Sequence, residues 1–154
     1  MFTYRISQTR YAHLLTSPGY PGRWNSSGQY ALYTGGSAAL SCLEVAVHKS
    51  GASLLSGDYS MTTFKIPDSL RIEEIRMSDL INKADDWFTV ENYHVTQNIG
   101  DKWLQSENSA VLKVPSAIIQ NEFNYLLNVR HSDFGKIKIV SISQFAFDPR
   151  LKSS

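Results

Sequence analysis

The spacing of hydrophobic and polar positions changes several times along this chain, and each change marks an element. Phe2-Thr3-Tyr4-Arg5-Ile6-Ser7 alternates and is β-prone, which predicts an opening strand with Arg5 as its one charge. A short helical turn over Tyr11 to Leu15 follows, then a loop dense in Pro and Gly from Ser17 to Gly22. Tyr30 to Tyr33 is short, aromatic, apolar and bounded by glycines, so it reads as a strand with Thr34-Gly35-Gly36 as the turn behind it. The pattern then becomes helical. Ser37 is placed as the N-cap of a helix over Ala38 to His48 whose polar positions are Ser37, Ser41, Glu44 and His48. Those four lie at i, i+4, i+7 and i+11, one narrow stripe. A helix apolar around most of its circumference reads as buried. Its stripe then faces either water, as the wet side of a core helix, or a cleft with Glu44 at its floor.

Lys49 to Asp58 reads as a Gly/Ser-rich connection, and Tyr59–Ile66 and Leu70–Met77 as strands joined by Pro67-Asp68-Ser69. Arg71, Glu73, Glu74 and Arg76 form a charge cluster of the kind expected on a solvated face. Ser78 to Ile81 starts a short helix, Asp85-Asp86-Trp87-Phe88 is a loop, and Tyr93 to Glu107 is a helix broken near Asn98-Ile99-Gly100. Ala110 to Val114 is a strand ended by Pro115. Ser116 follows at once, where it either caps the next turn or is held rigidly into a cleft. Phe123–Leu127 and Lys136–Phe147 are two further strands, with His131 in the turn between them. Six or seven short strands and two or three helices in irregular order predict an α+β fold, in one domain over 1–154.

Composition narrows the picture. The 154 residues are 42% apolar and 19% charged, ordinary for a globular protein. A net charge of +1 argues against a nucleic-acid surface built on phosphate contacts, which needs a basic patch. It leaves room for a local basic pocket. Cys42 is the single cysteine, so neither an internal disulfide nor a Cys-based zinc site is available, and it reads as a small buried hydrophobe in a reducing cytoplasm. Met1 to Arg5 lacks the apolar core of a signal peptide, and no apolar run reaches the ~20 residues of a membrane span. Adjacent Asp85 and Asp86 have no His or Cys cluster nearby, so no metal site is expected. Gly35-Gly36 before a helix could cradle a phosphate, a weak signal on two glycines.

Arg23, Tyr33 and Glu44 stand out as a set, ten and eleven positions apart. Gly22-Arg23-Trp24-Asn25, Gly28, Leu32-Tyr33-Thr34, Ala39-Leu40 and Leu43-Glu44 resemble the RES family, named for its Arg, Glu and Ser. The resemblance continues through Thr96 to Leu104, Leu112 to Ala117, Asn121 to Asn128 and Phe147 to Leu151. Val129 departs from it where the family often carries proline. The resemblance implies an ADP-ribosyltransferase-like split β-sheet and a toxin that degrades NAD without a metal. It further implies restraint by a helical, Xre-like helix-turn-helix antitoxin covering the active site; self-association into a homodimer stays open. It also implies roles. Glu44 would stabilise the ribose cation, Tyr33 would stack on nicotinamide, Arg23 with Arg5 would hold the diphosphate, and Ser116 would bind ribose or orient Glu44, with Ser109 as the alternative serine. Water, phosphate or a protein side chain would all serve as acceptor. A partner-binding domain with a relic cleft is the reading from another class, against which the full set of Arg23, Tyr33, Glu44 and Ser116 counts.

Overall fold

In the computed structural model, which describes residues 1–152, the strands join one mixed sheet. They are β1 (Phe2–Gln8), β2 (Ala31–Gly35), β3 (Tyr59–Lys65), β4 (Ile72–Glu74), β5 (Val111–Pro115), β6 (Phe123–Asn128) and β7 (Lys138–Phe145). Their order is β4-β5-β6-β2-β1-β3-β7, antiparallel except for the β4–β5 pair. The helices are α1 (Ala38–His48), α2 (Gly51–Ser56), α3 (Met77–Ile81) and α4 (Tyr93–Ser106), so the fold is α+β.

The sheet has a seam. β1 pairs with β3 from Phe2↔Lys65 to Gln8↔Tyr59, and β2 pairs with β6 along its whole length. Between β1 and β2 the register holds at one position, Tyr4↔Gly35. Two leaves result, β4-β5-β6-β2 and β1-β3-β7, and they diverge beyond that point.

Alternation along the strands explains where the core sits. On β5 and β6, the facing pair Leu112 and Leu126 joins Trp24, Leu80, Trp87 and Trp103 on one face. Val111 and Leu127 join Leu32, Phe64, Ile66 and Ile137 on the other. Side chains one residue apart on a strand point to opposite faces, so both faces of this leaf are covered. A third cluster packs Ala46 of α1 and Leu54 of α2 against Ile6, Tyr59 and Phe147.

Several elements differ from expectation. The connection after α1 contains α2, capped by Ser50, whose hydroxyl accepts from the Ser53 N–H, and anchored by buried Leu54. β2 extends through Thr34 and Gly35, which face Tyr125 and Asn124. The Leu70–Met77 segment contributes three strand residues before Asp79 accepts from the Arg76 N–H and starts α3. The last strand is shorter at both ends than Lys136–Phe147, and the first helical turn is a 3₁₀ turn at Thr9–Tyr11. α4 is continuous through Asn98-Ile99-Gly100. Gly100 is there for close approach, since a Cβ on it would lie 1.8 Å from the Trp24 carbonyl oxygen. α1 is buried on one side only: Leu40, Ser41 and Ala46 are covered, while Ala39 and Val47 are exposed and Cys42 is half-buried. Arg71, Glu74 and Arg76 are exposed as expected, while Glu73 is half-buried, with one carboxylate oxygen buried and without a hydrogen-bond partner among the described residues.

Candidate active site

The divergence of β1 and β2 opens a cleft of about 600 Å³. Tyr4, Arg5 and Ile6 line one wall and Ala31 to Gly35 the other, with Ser41, Glu44 and His48 of α1 above them. The polar stripe of α1 therefore looks into this cleft. Ser37 caps the helix by accepting from the Leu40 N–H at 3.1 Å. Ser41 donates to the Tyr4 carbonyl at 2.8 Å and so ties α1 to β1 next to the seam. Gly35 lets the helix come this close, since a Cβ on it would lie 3.1 Å from the Ser41 backbone nitrogen, while Gly36 lies against β6, where a Cβ would lie 2.8 Å from the Phe123 carbonyl oxygen. The Gly36 N–H donates to that same oxygen at 2.9 Å, which corrects the phosphate-cradle reading of the glycine pair: that amide is already committed.

Glu44 sits three residues beyond Ser41, just short of one helical turn. Its Oε1 accepts from Asn124 Nδ2 at 2.5 Å and from Ser116 Oγ at 3.3 Å. Ser116 also caps its turn, accepting from the Ile118 and Ile119 N–H groups at 3.0 and 3.1 Å. The capping reading of that serine is the one seen; Ser116 is buried and touches the cleft through Glu44, without lining it. Ser109 lies elsewhere, buried, accepting from the Trp103 indole N–H at 2.9 Å and donating to the Val111 carbonyl.

Arg23 enters from a tight loop closed by Gly22 N–H to the Asn25 carbonyl. Tyr33 is the post around which that loop is folded. Its hydroxyl accepts from the Trp24 N–H at 2.9 Å and donates to Asn25 Oδ1 at 2.6 Å. Burial raises the Tyr33 pKa far above its ordinary value, so it stays protonated in this role. The phenol's polar end is thereby committed to structure, while Tyr33 also lines the cleft. α4 grips the other side of the loop: Thr96 Oγ1 donates to the Arg23 carbonyl, Gln97 Nε2 to the Gly22 carbonyl, and Asp101 accepts from the Ser26 N–H. The Arg23 guanidinium lies 4.5 Å from the Tyr93 ring centroid and donates long bonds to the Trp87 and Thr89 carbonyls. Burial lowers its pKa, while Tyr93 and Glu44 oppose that shift, so Arg23 and Glu44 share one electrostatic site.

Arg5 is less satisfied. Its Nη1 is buried with no hydrogen-bond partner, and desolvation lowers its pKa. A guanidinium with one buried nitrogen left without a partner among the described residues, on a residue that lines the cleft, is well placed to take an anion. The cleft thus brings together Arg5, Arg23, Tyr33, Glu44 and, through Glu44, Ser116. It leaves out Ser109.

Sequence reasoning gave no role to Asn25, Asn124, Thr96, Gln97 or Asp101. Each lies within a segment that carries the resemblance, but none has chemistry of its own to draw attention. Asp86 accepts from Asn92 Nδ2 at 2.7 Å, and among the described residues no three His, Cys, Asp or Glu side chains gather as a metal-binding group. No described helix is long and apolar enough to cross a membrane.

Comparison with known proteins adds to this geometry. The RES domain profile matches residues 3–148. Over 157 aligned residues the chain is 38% identical to a protein of Yersinia enterocolitica named Toxin Res, covering 99% of this chain and 100% of that one. It is 32% identical to a Sphingobium protein named Prs ADP-ribosylating toxin, over 84% of this chain and 80% of the relative. In structure it is similar to a chain in the crystal of the M. tuberculosis MbcT–MbcA toxin–antitoxin complex, with a TM-score of 0.78. That superposition covers 98% of this chain and 86% of the other at 18% identity, a likeness of fold.

Proposed function

The chain belongs to the RES domain family, and on that premise we propose that it is the toxin of a toxin–antitoxin pair and cleaves the nicotinamide–ribose bond of NAD. One observation supports the reading above the others: Glu44, the one carboxylate among the described residues of the cleft, is held by neutral donors and shares the cleft with Arg23, whose charge it supports, and with Arg5, which has a buried guanidinium nitrogen without a partner among the described residues.

That arrangement suits the reaction. The C–N bond breaks with its electron pair leaving on nicotinamide, which is cationic in the substrate and departs neutral, so no general acid is required. Positive charge develops on the ribose. Glu44 stabilises it: its hydrogen-bond partners are a serine hydroxyl and an amide, which orient the carboxylate without an opposing charge of their own. Arg23 and Arg5 hold the diphosphate, for which a guanidinium fork is well shaped. The Tyr33 ring is a flat wall for nicotinamide. Water then bonds to the ribose carbon and releases its proton to solvent, or inorganic phosphate bonds there instead.

The test is incubation of purified protein with NAD, with and without phosphate, with products resolved by chromatography. Nicotinamide release is expected, and a folded sample that releases none at high enzyme concentration refutes the reading. The antitoxin is read as an Xre-like helix-turn-helix chain whose acidic groups enter the arginine-lined cleft. Expression alone then halts growth, and co-expression of the partner restores it. A complex of undiminished strength with Arg23→Glu would place the restraint elsewhere.

A second reading, ADP-ribosyl transfer to a protein, is favoured by the name of the Sphingobium relative, an ADP-ribosylating toxin. It shares the bond-breaking step and differs in acceptor. Radiolabel from NAD appearing on a cell protein rather than on free ADP-ribose would select it.

A further inference from the structure

The geometry assigns Asn124 as the positioning residue that turns the Glu44 carboxylate so that Oε2 alone meets the substrate; this rests on the reading of the cleft just given. Asn124 is on β6, half-buried, and lines the cleft. Register puts it between Gly35 of β2 and Val114 of β5. Opposite a glycine, the amide has a clear path toward α1. Its Nδ2 reaches Glu44 Oε1 at 2.5 Å, whereas Ser116 Oγ reaches the same oxygen at 3.3 Å. Of the two donors, Asn124 is the closer one. Ser116 is also committed on its acceptor side by the Ile118 and Ile119 N–H groups, so its hydroxyl follows its own turn as much as the carboxylate.

Both donors converge on Oε1, and Oε2 has no hydrogen bond among the described residues. A carboxylate pinned at one oxygen keeps a fixed plane and presents the other in a fixed direction. The choice of an amide is chemically specific. A lysine at this position would hold Glu44 equally well but cancel its charge, which the ribose cation requires. An aspartate would keep the shape of Asn124, replace the donor by a second acceptor and repel Glu44. A leucine would keep the shape and supply nothing. Charge-assisted hydrogen bonds are about twice as strong as neutral ones, so losing the donor should lower turnover about tenfold to a hundredfold. Substrate affinity, set mainly by the arginines, should change little.

The experiment compares the parent with Asn124→Leu and Asn124→Asp in three measurements. NAD cleavage gives kcat and KM. Thermal unfolding gives stability. The Glu44 carboxyl-carbon resonance, assigned by its loss in Glu44→Gln and read at one pH, reports the hydrogen bond directly. Positioning predicts kcat in the order Asn, Leu, Asp, with KM within about threefold. A packing role predicts that activity follows stability instead, with polar Asp better tolerated than Leu at a half-buried site. Parental kcat in both variants, or a kcat of Asn124→Asp above that of Asn124→Leu, overturns the proposal. If the parent itself releases no nicotinamide, the NAD reading fails separately. The Glu44 resonance then decides the inference alone: displaced in Asn124→Leu it stands, unmoved it falls.

Discussion

Replacing Gly100 with alanine tests whether α4 holds the arginine loop in place. In an open helix the change should help, because alanine is more favourable than glycine by about 1 kcal/mol. Here the added Cβ would lie 1.8 Å from the Trp24 carbonyl oxygen and 2.8 Å from its carbon. Relief to 3.0 Å, the shortest separation that real Cβ contacts show, needs about 1.2 Å of movement, the difference between 3.0 and 1.8 Å. The obstructing group is backbone, so no rotamer change can absorb it. Overpacking of this kind costs ~1–3 kcal/mol, and the upper part of that range applies where backbone must move. Set against the helical gain, the net loss is about 1–2 kcal/mol, or roughly 2–8 °C in melting temperature for a chain this size. Trp24 adjoins Arg23, so the guanidinium shifts as well. Misplacement by about 1 Å can lower a rate by about a hundredfold. Thermal unfolding and nicotinamide release on the same sample check both effects. A variant with raised melting temperature and parental rate would refute the clamp.

Three further outcomes follow from the site. Glu44→Gln should leave NAD binding nearly intact while kcat drops by about a hundred- to a thousandfold, measured by steady-state kinetics on a sample whose fold is verified. Arg5→Met should raise both the melting temperature and the KM for NAD, the latter by about tenfold or more, because removing an unpaired buried guanidinium relieves desolvation and removes an anion contact; a fall in stability would mean that the group is satisfied after all. Tyr33→Phe should destabilise by ~1–3 kcal/mol by leaving the Trp24 N–H and Asn25 Oδ1 unpaired. The native Tyr33 pKa is raised above the ~10 of an unfolded tyrosine, so its contribution is full below pH ~10 and declines as pH rises beyond it. Denaturant midpoints for parent and Tyr33→Phe should therefore converge above pH ~10.

The strands around the core and the position of α1 were legible because alternation and capping are local. Ser37, four residues ahead of Ser41, carries enough information to start a helix and place its polar stripe along the sequence. The side that stripe faces was not legible, since exposure of Val47 and Ala39 depends on what fails to pack there. Gly100 misled for a related reason. A glycine inside a helical pattern signals either a break or a close contact, and only the Trp24 carbonyl, far away in sequence, distinguishes them. Asn124 was invisible for want of a partner: an amide acquires a role when the sheet register sets it across from Gly35 and below Glu44. Tyr33 was read for its ring, while its hydroxyl, bonded within Trp24-Asn25, is the part that the structure uses for folding.

The seam at Tyr4↔Gly35 makes α1 a strut. Ladder hydrogen bonds fix the spacing of neighbouring strands everywhere else in the sheet, but one bridge cannot set the angle between two leaves. That angle is left to the helix, which is pinned to one leaf at the Tyr4 carbonyl and to the other at Asn124. Slot width is thereby encoded in the span from Ser41 to Glu44, less than one helical turn. Inserting a single residue there would rotate the carboxylate by about 100° about the helix axis and detach it from its leaf. Loops at the rim can drift in length without altering the slot, whereas the helix cannot change by one residue and still span it.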